Sequence, residues 1–274
     1  GQHGISSWTV LKTPRTSLHE SVVVAVVRAT HALTDLGSLQ NATILAARVL
    51  AARGARVLFG CRDKPRATAA MAAIAEETAG ADLDFVQLDQ ADLASVRAAA
   101  AQVAAEPRLD VLVNNAGIMH VPQGQTKDGF ERHLGVNHLG TFALTALLLD
   151  KLAEQPHSRV VTTSSIAHLL SRINFDDLNA ERGYQRDARY GQSKLANLLF
   201  VFELDRRLRA ASSPTISVGC HPGIAATELT RHFGAWYRPV APLVGRIFND
   251  PAAGAWPTLM AATAPGMKGG YYVG

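Results

Sequence analysis

Val111-Leu112-Val113-Asn114-Asn115-Ala116-Gly117 is the stretch whose reading decides the fold. Three consecutive aliphatic residues with no polar alternation describe a strand covered on both faces, the condition of a parallel sheet packed between helices. The strand then enters a loop of small residues. Such a loop lets backbone approach a flat ligand while an Asn side chain braces neighbouring strands; an ordinary Asn/Gly turn has the same composition.

Working outward, short apolar runs recur at Arg56–Cys61, Asp84–Asp89, Arg159–Ser164, Ile216–His221 and Tyr271–Val273. Between them lie Ala/Leu-rich stretches of helical character at Ile44–Arg53, Ala67–Thr78, Leu93–Ala105, Asp128–Leu152, Tyr190–Leu208 and Ala252–Ala262. Gly54 suits a helix C-cap and Asp92 an N-cap. This alternation predicts an α/β fold with a doubly wound parallel sheet, Rossmann-like, in a single domain. Val22–Val27 is a candidate first strand, which makes Arg28–Asp35 an extra polar loop.

At 274 residues and 47% hydrophobic content, one domain can absorb nearly the whole chain. Residues 1–20 lack the basic, apolar and small-residue order of a secretory signal and read as a surface arm, with the domain proper over 21–274. No apolar run approaches the roughly 20 residues that span a bilayer. The net charge of +4 comes from Arg residues scattered along helices, without basic runs interleaved with aromatics, so no nucleic-acid partner is expected. Ten histidines include no helical HExxH pair and the two cysteines are far apart, so no metal site is expected. Cys61 and Cys220 each close a buried-type strand and read as small buried thiols, which fits a reducing, cytoplasmic setting.

In open parallel sheets the ligand crevice lies beyond the carboxyl ends of the strands, so residues at strand ends carry the chemistry. Tyr190 and Lys194 stand four apart near the start of a helix, on one face, where the ammonium favours phenolate and suits the phenol to acid/base work. An exposed helical pair is the plain alternative. Ser164-Ser165 ends another strand, where a hydroxyl can bond a developing alkoxide or simply cap a turn. Asn137, a poor helix former inside Gly135-Val136-Asn137-His138, can hold a water or a backbone carbonyl open.

Asn-Asn-Ala-Gly, the Asn in the following helix, the strand-end Ser and Tyr-x-x-x-Lys, in this order, resemble the short-chain dehydrogenases/reductases. Ser165-Ile166-Ala167-His168, the polar insert before Tyr190 and Ser193-Lys194-Leu195-Ala196-Asn197 are similar to the retinol dehydrogenase and WW-domain oxidoreductase subgroup, over residues 44–273. The resemblance implies an NAD(P)-dependent oxidoreductase interconverting an alcohol and a carbonyl on a small, lipophilic substrate. Tyr190 is then the acid/base, Lys194 lowers its pKa and holds the nicotinamide ribose, Ser165 orients the substrate oxygen, and Asn137 positions a water that relays protons to Lys194.

The same resemblance implies cofactor contacts at Asp89, at Asn115, Ala116 and Gly117 on the adenosine side, and at Pro222, Gly223 and Thr227 near the nicotinamide, with Tyr190 and Lys194. Cys61 stands where an acid would hold the ribose 2′-hydroxyl of NAD, and Arg62 beside it can pair with a 2′-phosphate, so NADP is expected. Asp63 as an alternative ribose ligand keeps NAD open. A homo-oligomer through the helices starting near Asp128 and Tyr190 is implied by analogy.

One motif departs from the pattern. Thr-Gly-x-x-x-Gly-x-Gly, which brings amides and a helix N-terminus to the pyrophosphate, is replaced by Leu36-Gly37-Ser38-Leu39-Gln40-Asn41-Ala42-Thr43, where only Gly37 survives. That departure motivates a rival expectation, a non-catalytic family member acting as a binding or scaffold protein. Phe233, Trp236, Tyr237, Leu243 and Ile247 are candidate walls of an apolar substrate pocket or of a helix packing surface.

Overall fold

The computed structural model describes residues 21–26, 42–222 and 251–274. In chain order the elements are β1 (Val22–Val26), α1 (Ala42–Ala52), β2 (Arg56–Cys61), α2 (Lys64–Glu77), β3 (Leu83–Gln87), α3 (Leu93–Ala104) and β4 (Val111–Asn114). A π-helical turn (Leu134–Leu139) leads into α4 (Gly140–Ala153), followed by β5 (Arg159–Thr163), two short 3-10 segments (Ile166–Leu170 and Phe175–Asp177) and α5 (Arg186–Ala210). Then come β6 (Ile216–Cys220), α6 (Pro251–Thr263) and β7 (Tyr272–Val273).

The strands pair in parallel in the order β3-β2-β1-β4-β5-β6-β7. Because β1 pairs with both β2 and β4, the order reverses beside β1, and the carboxyl ends of β1 and β4 bound the crevice where this architecture takes its ligand. Val26 is level with Asn114 in the register, so the small-residue loop after β4 starts at that switch point.

Period-two packing divides each strand between two cores. Val23, Ala25, Val57, Phe59, Val111 and Val113 pack with α1, α2 and α6 on one face. On the other, Val22, Val24, Leu58, Leu112 and Val160 pack with α3, α4 and α5 through Val96, Val103, Leu144, Leu148 and Leu204. Burial on both faces is why the strands read as unbroken apolar runs.

Most element boundaries agree with the sequence reading to within a few residues, and Val22–Val26 is indeed a central strand. The expected helix from Asp128 is corrected. Gly129 turns the chain at φ +84°, Asp128 Oδ2 instead accepts from the Leu93 amide at 2.9 Å, and the helical backbone starts after Glu131. Asp92 caps α3, accepting from the Ala94 and Ser95 amides, and Gly54 ends α1 at φ +88°. Cys61 and Cys220 are free and buried, and burial pushes the Cys220 thiol up. Among the described residues no helix is long and apolar enough to cross a membrane. The polar loop Arg28–Asp35, the altered glycine motif through Asn41, and the aromatic segment Phe233 to Ile247 lie outside the described residues.

Candidate active site

Helix α5 carries Tyr190 and Lys194 inward, 8% and 5% exposed, so the alternative of an exposed helical pair fails. Lys194 Nζ lies 5.9 Å from the centre of the Tyr190 ring and donates to the carbonyl of Thr163 at 3.2 Å. That carbonyl, at the end of β5, also accepts from Asn197 Nδ2 at 3.3 Å, while Ser164 Oγ donates to the Lys194 carbonyl at 2.7 Å. Strand β5 and helix α5 are thus stitched together where the ammonium sits. Gly191 makes the close packing possible, because a Cβ there would lie 2.9 Å from the Ala167 carbonyl oxygen of the segment that follows Ser165.

Asn137 sits in the π-helical turn, fully buried, and its side chain clamps the loop after β4. Oδ1 accepts from the Ile118 amide at 2.7 Å, and Nδ2 donates to the Ile118 carbonyl at 2.9 Å and to Ser193 Oγ at 2.8 Å. The extra residue of a π turn is often found where function needs a helix to depart from regular geometry. Gly117 closes the group, since a Cβ on it would stand 3.2 Å from Asn137 Oδ1 and 3.3 Å from Lys194 Nζ. The structure therefore brings Asn137, Gly117, Tyr190 and Lys194 together. Ser165, buried at the end of β5, accepts from the Ala167 amide at 3.2 Å and starts the 3-10 segment, so its capping role is realised.

A cavity of about 340 Å³ opens beyond the ends of β2, β3 and β4, lined among others by Gly60, Arg62, Asp89, Ala116, Gly117 and Val136. Four expected cofactor residues thus share one space. Asn115 is not among its lining residues. Its Oδ1 accepts from Thr163 Oγ1 at 2.6 Å and its Nδ2 donates to Thr43 Oγ1, so it braces β4 to β5 and α1. Asp63 is engaged locally, capping α2 through the Arg66 amide and pairing with the Arg66 guanidinium at 3.1 Å. Asp89 Oδ1 accepts from the Ala91 amide at 2.9 Å. Pro222 follows β6, beside the start of α6 at Gly254. Gly37, Gly223 and Thr227 lie outside the described residues.

The sequence reading missed Thr163, whose hydroxyl and carbonyl tie Asn115, Lys194 and Asn197 together, and its place at a strand end is the signal that would have found it. It also missed two imidazoles beside the Tyr190 ring. His120 and His133 each have ring centres 6.2 Å from it. His120 adopts φ +56°, a conformation non-glycine residues seldom take away from turns or functional sites, and its Nε2 lies 3.1 Å from Asp187 Oδ1.

A family model described as short chain dehydrogenase matches residues 44–238. Mouse retinol dehydrogenase 14 is 44% identical over 237 residues, covering 81% of this chain and 70% of that protein. Human retinol dehydrogenase 12 is 46% identical over 187 residues, 68% of this chain and 58% of that one. Among solved structures, an uncharacterized protein from Mycobacterium paratuberculosis is 38% identical at a TM-score of 0.71, covering 93% of this chain and 81% of its own. The RhlG/NADP active-site complex of Pseudomonas aeruginosa shares the fold at 22% identity and a TM-score of 0.65, covering 95% and 96%.

Proposed function

Because the chain belongs to the short chain dehydrogenase family, oxidoreductases of alcohols and carbonyls, we propose that it interconverts a lipophilic alcohol and its carbonyl with NADP, using Tyr190 as the acid/base. The observation that carries this reading is the convergence of Tyr190, Lys194, Asn137 and Gly117 at the carboxyl ends of β4 and β5. A buried ammonium beside a phenol favours the ionised oxygen, so in oxidation Tyr190 takes the alcohol proton and in reduction it returns one to the carbonyl oxygen. Lys194, anchored on the Thr163 carbonyl, holds that charge in place and reaches the nicotinamide ribose. Ser165 orients the substrate oxygen. Asn137, fixed by the Ile118 backbone and Ser193, keeps the π turn open for the water that exchanges protons with Lys194.

The cavity suits the adenosine half of a dinucleotide: small residues, Gly60, Ala116 and Gly117, and the strand-end Asp89 line it. When bound, the oxidised cofactor would accept a hydride from the alcohol and the reduced one would supply it to the carbonyl. NADP is favoured over NAD because Arg62 lines the cavity as an exposed cation, whereas Asp63, the competing ribose ligand, already caps α2 and pairs with Arg66. Pro222, Gly223 and Thr227 are assigned to the nicotinamide end, and Gly37 to the pyrophosphate. A retinoid-like substrate is supported by the names of the relatives. The same reading includes a homo-oligomer on the α4 and α5 face, where Phe142, Leu147, Leu199 and Phe202 are exposed, and a reducing, cytoplasmic setting for the two free thiols.

A second reading has one observation in its favour. Thr43, at the last position of the altered glycine motif, is buried and hydrogen-bonded to Asn115, so a side chain stands at the start of α1. On that reading the chain is a non-catalytic binding or scaffold protein. Fluorescence titration with NADPH and NADH, followed by turnover of all-trans-retinal, separates the two. Saturable NADPH binding and turnover abolished by Tyr190→Phe are expected; no saturation by either nucleotide at millimolar concentration would remove the enzyme.

A further inference from the structure

Ser165 is 6% exposed at the end of β5, in extended backbone at φ −159° and ψ 155°, and its Oγ accepts from the Ala167 amide at 3.2 Å. Accepting uses a lone pair and leaves the hydroxyl hydrogen to donate elsewhere. The direction of that hydroxyl follows the Ser165 backbone, and the backbone is held at its carbonyl.

Two donors of one residue reach that carbonyl. The His168 amide donates to it at 3.1 Å and closes the 3-10 turn, while His168 Nδ1 lies 2.5 Å from the same oxygen. A ring carbon could not stand so close, and a carbonyl oxygen only accepts, so Nδ1 faces the carbonyl and carries the imidazole hydrogen there. The turn needs the amide bond alone. The ring bond is additional, and it fixes the carbonyl from a second direction.

The imidazole is itself buttressed. Tyr272 of β7 meets it edge-on, with ring centres 5.5 Å apart at an interplanar angle of 81°, an arrangement that aromatic pairs favour. Gly219 in β6 gives the Tyr272 ring its room, because a Cβ there would lie 2.9 Å from Tyr272 Cδ2. On its other contact Tyr272 lies 5.1 Å from the ring of His221, the residue before Pro222. The far end of the turn is latched as well: Ser171 Oγ donates to the Ala167 carbonyl at 2.7 Å, and a Cβ on Gly191, next to Tyr190, would overlap Ser171 Oγ. The segment that begins at Ser165 is therefore pinned to α5 through Gly191 and to the last strand through His168.

We propose that His168 is a positioning residue for Ser165: its Nδ1–H clamps the Ser165 carbonyl, the Tyr272 ring holds the imidazole in that pose, and the last strand of the sheet thereby fixes the hydroxyl that orients the substrate oxygen. The proposal rests on the role given to Ser165 and adds a residue to it. Neutral imidazole in this tautomer and imidazolium both carry hydrogen on Nδ1, so the clamp acts through geometry and not through charge.

The test uses the full chain, with all-trans-retinal and NADPH in steady state, an NADPH fluorescence titration and a thermal melt. His168→Phe keeps a ring and removes the donor; kcat should fall on the order of tenfold, as a displacement of about half an ångström would give, while the NADPH Kd stays unchanged. His168→Asn, whose amide nitrogen branches from the same carbon as Nδ1, should return kcat to within about threefold of wild type. In a Ser165→Ala background, where the hydroxyl is gone, His168→Phe should cost less than about a further twofold. Tyr272→Leu should reproduce part of the His168→Phe loss. Should His168→Phe fail to fold, His168→Leu makes the same comparison. A readout independent of turnover is the histidine side-chain 15N spectrum above the imidazole titration range, with the His168 signals assigned by their loss in His168→Phe: hydrogen on Nδ1 is expected, because the bonds of the ring select the tautomer.

An unchanged kcat in His168→Phe, no rescue by His168→Asn, losses that add to that of Ser165→Ala, or hydrogen found on Nε2 would each overturn the proposal and leave His168 as packing. Full turnover in Ser165→Ala would instead strike the role of Ser165, and absence of wild-type turnover the oxidoreductase reading; in either case the 15N spectrum still judges the bond from His168.

Discussion

Replacing Gly117 with Ala perturbs the candidate site by one methyl group. An ideal Cβ at that position lies 3.2 Å from Asn137 Oδ1 and 3.3 Å from Lys194 Nζ, a few tenths of an ångström inside ordinary contact. Asn137 cannot retreat, because both ends of its amide are held by the Ile118 backbone and by Ser193. The ammonium, at the end of a flexible stem, gives way and strains its 3.2 Å bond to the Thr163 carbonyl. If a misplacement of about 1 Å costs about 100-fold in rate, a third of that costs roughly fivefold in kcat. Stability should change by no more than about 1 kcal/mol, since the conformational entropy that Gly→Ala removes from the unfolded chain offsets the overlap. Steady-state kinetics with NADPH and retinal, beside a thermal melt, measure both. An unchanged kcat at unchanged Tm would refute the placement of Lys194 as rate-setting; a raised cofactor KM with unchanged kcat would locate the effect in the cavity instead.

Arg62→Ala should weaken NADPH binding by roughly five- to tenfold, a modest loss because the guanidinium is exposed, and leave NADH unchanged in the same titration; equal losses would disprove the 2′-phosphate assignment. Gly140→Ala should destabilise by about 1–3 kcal/mol, lowering Tm by about 5 °C, because a Cβ would stand 2.6 Å from the Gln90 carbonyl oxygen on an unyielding backbone. Glu131→Gln should flatten the acid limb of stability: the folded carboxyl is held below its unfolded value, so its contribution is present above the ordinary carboxylate range and is lost as pH falls through the folded value, and the gap to wild type in urea melts should narrow as pH falls below the ordinary carboxylate range. Phe142→Glu with Phe202→Glu should shift sedimentation toward monomer, and unchanged sedimentation would remove the α4 and α5 face as the interface.

The layered architecture was legible because its determinants are local. Runs such as Val57-Leu58-Phe59 and Val111-Leu112-Val113 state their own burial on both faces, and Asp92 and Gly54 mark helix ends through bonds made within a few residues. The Tyr190 and Lys194 pair was legible for the same reason, one helical turn apart. The helix expected from Asp128 failed where a distant residue competed. Asp128 found a better partner in the Leu93 amide, 35 positions back in sequence, and the helical pattern could not register that. The loop reading had an Asn brace neighbouring strands, and the resemblance implied a cofactor contact for Asn115; that its side chain reaches Thr163 and Thr43 was decided across β5 and α1.

By itself the sequence determined the order of strands and helices, the small-residue loop after β4 and the spacing that sets an ammonium one turn from a phenol. These follow from periodicity and short-range geometry, which the chain carries in every window of a few residues. Only the tertiary structure decided that Lys194 is anchored on Thr163, that Asn137 clamps Ile118, and that the buried His133 ring, bonded to the Glu131 carboxylate, packs edge-on against the Tyr190 ring. Those contacts join residues separated by tens of positions, and buried polar groups take whichever partner the packed fold brings within reach, because leaving one unpaired costs more than any local preference decides.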